Sequence, residues 1–159
     1  MLELIRTNAD NAEFRELVVM LNAELKMRDG EDHYFFAQFN KLAGIVGVVI
    51  AYEGETAVGC GGFKEMSANE AEIKRMFVRA EYRGQRIAAK VLAELEMWAG
   101  ESGYDACLLE TGFKQPEAIA LYQREGYEVI PNYGQYADVM NSVCMRKTLH
   151  ADAGTKPTK

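Results

Sequence analysis

Apolar residues recur three and four apart in two long stretches and alternate or cluster in several shorter ones, so helices and strands are predicted to interleave along the chain. Leu2-Glu3-Leu4-Ile5 reads as a short first strand. Asn8 to Asp10 offer helix N-caps, and Phe14, Leu17, Val18, Leu21 and Leu25 follow at helical spacing until Asp29-Gly30 breaks the pattern. A second, shorter helix is predicted over His33 to Leu42, with Tyr34, Phe35, Phe36 and Phe39 as its apolar bulk. Gly44 to Tyr52 is rich in Val and Ile and reads as a strand; Glu53-Gly54-Glu55 turns it into Ala57 to Lys64. Ala71 to Val78 completes an expected antiparallel meander.

The period then changes. Ile87, Ala88, Val91, Leu92, Leu95, Trp98 and Ala99 define an amphipathic helix of about four turns, stopped by Gly103. Tyr104 to Glu110 reads as a strand and Thr111-Gly112 as a turn. Pro116 suits the first turn of a further helix that ends at Gly126. Tyr127 to Ile130 and Ser142 to Leu149 are predicted as strands on either side of the loop from Pro131 to Asp138. With no repeat and no linker, one α/β domain over residues 1–150 is expected, followed by a small polar, disordered tail over 151–159.

Composition narrows the function classes. The chain has 159 residues, 48% of them hydrophobic, enough for a proper core. No apolar run approaches the roughly 18 residues of a membrane span, and the N-terminus lacks a secretory pattern. Cys60, Cys107 and Cys144 show no metal-ligand spacing and read as buried, reduced thiols of a cytoplasmic protein; no metal is expected. A net charge of −6 argues against nucleic acid as a partner. Against that background, Lys74 to Lys90 carries six cationic side chains (Lys74, Arg75, Arg79, Arg83, Arg86, Lys90) and only Glu81 as an anion. The run overlaps a glycine turn and is read as an anion site.

The chemistry of that turn follows from its shape. A strand ends at Val78, Gly84 turns the chain, and a helix starts near Gln85 or Arg86. A helix N-terminus presents unpaired N–H groups and a partial positive charge, which suits a phosphate. Arg83 and Arg86 add charge-assisted donors, and the small Ala88 and Ala89 let a ligand approach. Neither G-x-G-x-x-G nor G-x-x-x-x-G-K-S/T is present.

At these residues the chain resembles the GNAT N-acetyltransferase superfamily. Arg83-Gly84-Gln85-Arg86-Ile87-Ala88 is similar to the family's cofactor motif Q/R-x-x-G-x-G/A, with Arg86 where glycine is usual. The segment Gln115 to Tyr127 resembles N-x-x-A-x-x-L-Y-x-x-x-G-F/Y, with Gln115 in place of Asn. Ala71 to Val78 looks like the family's fourth strand. The resemblance implies a mixed, mostly antiparallel sheet of six to seven strands, splayed between strands 4 and 5 and flanked by about four helices. It implies acetyl-CoA as co-substrate, with backbone of Met76, Phe77 and Val78 along the pantetheine arm. Arg83, Gly84, Gln85, Arg86, Ile87, Ala88 and Ala89 would hold the pyrophosphate, and Gln115 and Ala118 would flank the thioester.

For catalysis the resemblance implies Tyr122 as the acid that protonates the leaving thiolate and Glu72 as a candidate general base, acting directly or through water. Asp32, His33, Arg75, Tyr133 and Tyr136 are candidates to face the acceptor, and Arg75 could pair an acceptor carboxylate. The expected activity is acetyl transfer to a primary amine of a small molecule or amino acid. A protein N-terminal or lysine acetyltransferase and a CoA-binding sensor are the alternatives; a homodimer is compatible with the family.

Overall fold

The computed structural model describes residues 1–29, 42–113 and 115–149. Seven strands form one sheet: β1 (Leu2–Thr7), β2 (Ile45–Glu53), β3 (Thr56–Ser67), β4 (Glu70–Val78), β5 (Ala106–Gly112), β6 (Glu128–Ile130) and β7 (Ser142–Thr148). Three α-helices lie among the described residues: α1 (Ala12–Asp29), α2 (Ile87–Glu101) and α3 (Pro116–Arg124). The shorter helix expected over His33 to Leu42, the residues Asp32 and His33, and the tail all fall outside them, Leu42 excepted.

The sheet order is β1-β2-β3-β4-β5-β7-β6. All neighbours run antiparallel except β4 and β5, which are parallel. The two faces of the sheet separate by residue parity, because successive strand side chains point to opposite sides. Val48, Ile50, Cys60 and Phe77 meet Phe14, Leu17, Val18 and Leu21 of α1. Val49, Ala51, Val58, Ala71 and Ile73 meet Ile87, Val91, Leu92, Leu95 and Ala99 of α2. Each fully buried Leu or Ile contributes about 1.5–3 kcal/mol, which makes α2 the main clamp on its face.

Close approach on that face requires glycine. A Cβ on Gly47 would stand 2.8 Å from Phe63 Cε2 and 2.9 Å from Trp98 Cη2, two rings already packed edge-on at 5.4 Å. Neither ring can retreat as a flexible chain could. Gly47→Ala is therefore expected to cost about 1–3 kcal/mol and to lower Tm by several degrees. An unchanged Tm in calorimetry would refute this.

Two local expectations change. Thr111 and Gly112 end β5 instead of turning, because they pair with Val143 and Ser142 of β7. The loop from Pro131 to Asp138 contains a short 3-10 turn at Gly134–Tyr136 that buries Tyr136. The cysteines match their reading: all three are free and buried. Among the described residues no helix is long and apolar enough to cross a membrane.

Candidate active site

The site begins where the sheet comes apart. β4 pairs with β5 only at Glu70↔Ala106, Ala71↔Cys107 and Glu72↔Leu108. Beyond Glu72, β4 continues to Val78 and β5 to Gly112 without a ladder between them. Backbone groups along that edge of β4 therefore lack strand partners on the β5 side, and an unpaired backbone edge calls for another polar occupant.

A bulge in β4 starts the separation. The β3 register shifts between Cys60↔Phe77 and Gly62↔Lys74, which inserts one residue at Arg75–Met76 opposite Gly61. Arg75 takes φ 60°, the left-handed region that a side chain disfavours. Ile73 and Met76 both belong to the α2 face, while Lys74 and Arg75 both turn away from it. Met76 closes over Gly61, where a Cβ would come 2.4 Å from its sulfur.

A cavity of about 530 Å³ lies between α1, the end of β4, the start of α2 and α3. Met76, Phe77, Val78, Arg83, Gly84, Arg86, Ile87, Ala88, Ala89, Gln115 and Ala118 all line it. Those are the expected cofactor residues with the exception of Gln85. Gly84 has φ 83°, which only glycine adopts without strain, and open space around the missing Cβ shows that conformation alone requires it. Arg86 caps α2 with φ 64°. It keeps the left-handed backbone that glycine would favour at this position, at roughly 1 kcal/mol. The first backbone bond into the helix runs from Lys90 N–H to Arg86 O, so the preceding amides of the first turn are free for an anion.

The cationic run divides in space. Arg79 donates to the Ala57 carbonyl at 2.7 Å, and Lys74 and Arg75 are buried behind the bulge. Only Arg83 and Arg86 of the run reach the cavity, joined by Arg28 of α1 and Arg124 of α3, which sequence reading missed. Arg83 donates to Val78 O at 2.8 Å and to Glu24 at 2.6 Å; Arg28 meets Glu117 at 2.8 Å, and Arg86 lies 3.6 Å from Glu125. Exposed pairs of this kind contribute about 0–1 kcal/mol each, so a phosphate can displace the carboxylates at little cost.

A second, polar cavity of about 120 Å³ sits between the splayed strands. It shares Leu21, Leu25, Met76, Gln115 and Ala118 with the first. Lys74, Arg75, Glu110 and Thr111 supply its polar wall, and Tyr122 reaches it from α3. Tyr122 is the buried residue of α3 and packs edge-on against Tyr127 at 5.8 Å. Its hydroxyl has no hydrogen-bond partner among the described residues. Burial raises its pKa well above the usual 10.0, so the phenol stays protonated at physiological pH.

Glu72, Tyr133 and Tyr136 line neither cavity. Tyr133 donates to Glu72 at 2.9 Å, Lys74 Nζ lies 3.9 Å from the same carboxylate, and Lys74 donates to Tyr136 at 3.2 Å. The carboxylate that does line the polar cavity is Glu110, which accepts from Ser142 Oγ at 2.7 Å. Its signal in the sequence was one charged side chain at the end of an apolar strand. Burial lowers the Lys74 pKa, and nearby Glu72 and Glu110 partly offset this. It also pushes the Cys60 and Cys107 thiols up to about 12 and Cys144 up to about 11, leaving no thiolate nucleophile near neutral pH. No group of three or more His, Cys, Asp or Glu among the described residues could hold a metal ion.

Comparison with known proteins agrees with this geometry. The model of the Acetyltransferase (GNAT) family matches residues 10–127. The chain is 32% identical over 151 residues to an IAA acetyltransferase of Azospirillum brasilense, covering 90% of this chain and 97% of that protein. A Klebsiella pneumoniae structure assigned to the acyl-CoA N-acyltransferases superposes with a TM-score of 0.80 at 30% identity, covering 94% of this chain and 98% of the other. The PaiA N-acetyltransferase of Thermoplasma acidophilum, solved in complex with coenzyme A, shares the fold at a TM-score of 0.69 and 18% identity, over 93% and 99% of the two chains. The chain belongs to the GNAT acetyltransferase family and is an acyltransferase.

Proposed function

We propose that this enzyme moves an acetyl group from acetyl-CoA to the primary amine of a small molecule, by direct attack in a ternary complex. One observation carries the reading: the large cavity at the α2 N-terminus and the polar cavity between the strands share the wall of Met76, Gln115 and Ala118, beside Tyr122. A donor lying along β4 would deliver its reacting end to that junction. The left-handed Gly84 and Arg86, the free amides of α2 and the small Ala88 and Ala89 fit a pyrophosphate. Acetyl-CoA, when bound, supplies an activated thioester.

The chain's own residues then have distinct tasks. The amine must lose a proton before its nitrogen bonds to the carbonyl carbon; the C–S bond breaks, and the departing sulfur takes a proton. Tyr122 donates that last proton. Glu72 is the candidate proton acceptor and, since it lines neither cavity, would act through water. The absence of a thiolate near neutral pH favours direct transfer over an acyl-cysteine route. The small volume of the polar cavity favours a small acceptor over a protein segment. The test is thiol release from acetyl-CoA with a panel of amines. CoA binding without release for any amine would leave a CoA-binding sensor as the reading.

A further inference from the structure

The two cations turned inward by the β4 bulge are not equivalent. Lys74 has Glu72 at 3.9 Å and the hydroxyl of Tyr136. Arg75 is 5% exposed and forms no ion pair with an acidic side chain among the described residues. One Nη donates to Asn22 of α1, a neutral acceptor, and the buried Nε has no hydrogen-bond partner. A buried guanidinium without a carboxylate is costly, and so is its left-handed backbone. Native structures rarely leave such a group unsatisfied without a functional reason. Arg75 also lines the polar cavity, across which Glu110 stands on β5.

We propose that Arg75, positioned by Asn22, is the carboxylate clamp of the acceptor subsite, so that the acceptor is an amino-acid-like molecule with its carboxylate on Arg75 and its ammonium toward Glu110. The inference rests on the acetyl-transfer reading above and narrows its substrate class. A guanidinium offers parallel N–H donors matched to a carboxylate, and the Arg75 side chain lines the cavity with no counter-charge among the described residues and an unpaired, buried Nε behind it. Cations (Lys74, Arg75) and a carboxylate (Glu110) on one cavity wall fit a zwitterion better than a simple alkylamine.

The test uses the full chain, acetyl-CoA and matched acceptors: L-amino acids and their carboxamides. Arg75→Met should lower kcat/KM for the acids by about 100-fold and for the amides by less than about threefold, since a hydrogen-bonded charge is lost only with the acids. CoA affinity should not change. Because the native guanidinium is buried without a counter-charge, the Tm of Arg75→Met should equal or exceed that of the wild type. Equal losses on acids and amides, or a clear fall in Tm, would make Arg75 structural and overturn the clamp. If no acceptor turns over, the wild type is titrated with the same acids and amides, with and without CoA, following Tm. Stabilisation by the acids, absent with amides and in Arg75→Met, supports the clamp; no stabilisation by the acids overturns it. The titration without CoA reads the clamp separately, so a failure of CoA to bind would sink the acetyl-transfer reading alone.

Discussion

Tyr122→Phe is expected to lower kcat by about 10²-fold or more while changing CoA affinity by less than about twofold. The substitution removes one oxygen and keeps the ring that packs against Tyr127. A Tyr122 hydroxyl without a partner among the described residues is not holding the fold together. Its loss should therefore leave Tm within a degree or two of the wild type. The lost term is proton donation to sulfur as the C–S bond breaks, which exists in the transition state and not in the bound donor. A 10²-fold effect corresponds to about 2.7 kcal/mol of barrier. A parallel loss of CoA affinity and kcat would mean that Tyr122 only shapes the cavity. Since burial holds the phenol protonated beyond its ordinary pKa of 10.0, no descending limb of kcat near pH 9 should belong to Tyr122.

The second large effect is on stability. Glu72→Ala should cost about 3 kcal/mol, because removing one member of a buried pair leaves the other charge uncompensated. The Glu72 and Lys74 side chains are 3% and 7% exposed, and Tyr133 would lose its acceptor as well. For a chain of this size the loss corresponds to a fall in Tm of about 10 °C. Glu72→Gln, which keeps an acceptor for Tyr133, should recover part of it. If Glu72 also receives the acceptor's proton through water, Glu72→Gln should still depress kcat beyond its effect on Tm.

The pH dependence follows from Lys74. Its folded pKa lies below the unfolded value of 10.5, so folding releases a proton between those two limits. Stability attributable to Lys74 thus rises with pH through that interval and is lost as pH falls through the depressed folded value. Without Glu72 the folded value drops further, because that carboxylate raises it. The deficit of Glu72→Ala should therefore shrink as pH approaches 10.5, measured by denaturant unfolding. A deficit that grows with pH would contradict the buried-pair account.

The contrast between what was legible and what was not runs through single residues. Ile87, Val91, Leu92, Leu95 and Ala99 announced α2 because a helix buried on one face repeats every 3.6 residues. Gly84 announced the turn, and Pro116 the start of α3, because each restricts or frees φ locally. Thr111-Gly112 looked like a turn and became strand because β7, some thirty residues later, supplies its ladder. The Lys74–Lys90 run looked like one anion site and split, because a bulge invisible in the residue pattern buries its first two members. Arg28 and Arg124 were missed as cavity residues since only the packing of α1 and α3 brings them to α2.

By itself the sequence determined the element order, the strand-turn-helix that faces the large cavity, and the family to which the chain belongs. Those properties depend on local backbone preference and on periodicity, which neighbouring residues carry in full. Tertiary structure alone decided where β4 leaves β5, which cations are buried, that Glu110 reaches the polar cavity while Glu72 does not, and that Arg75 lacks a counter-charge. These depend on strand register and on burial, and both arise from contacts between residues far apart in the chain.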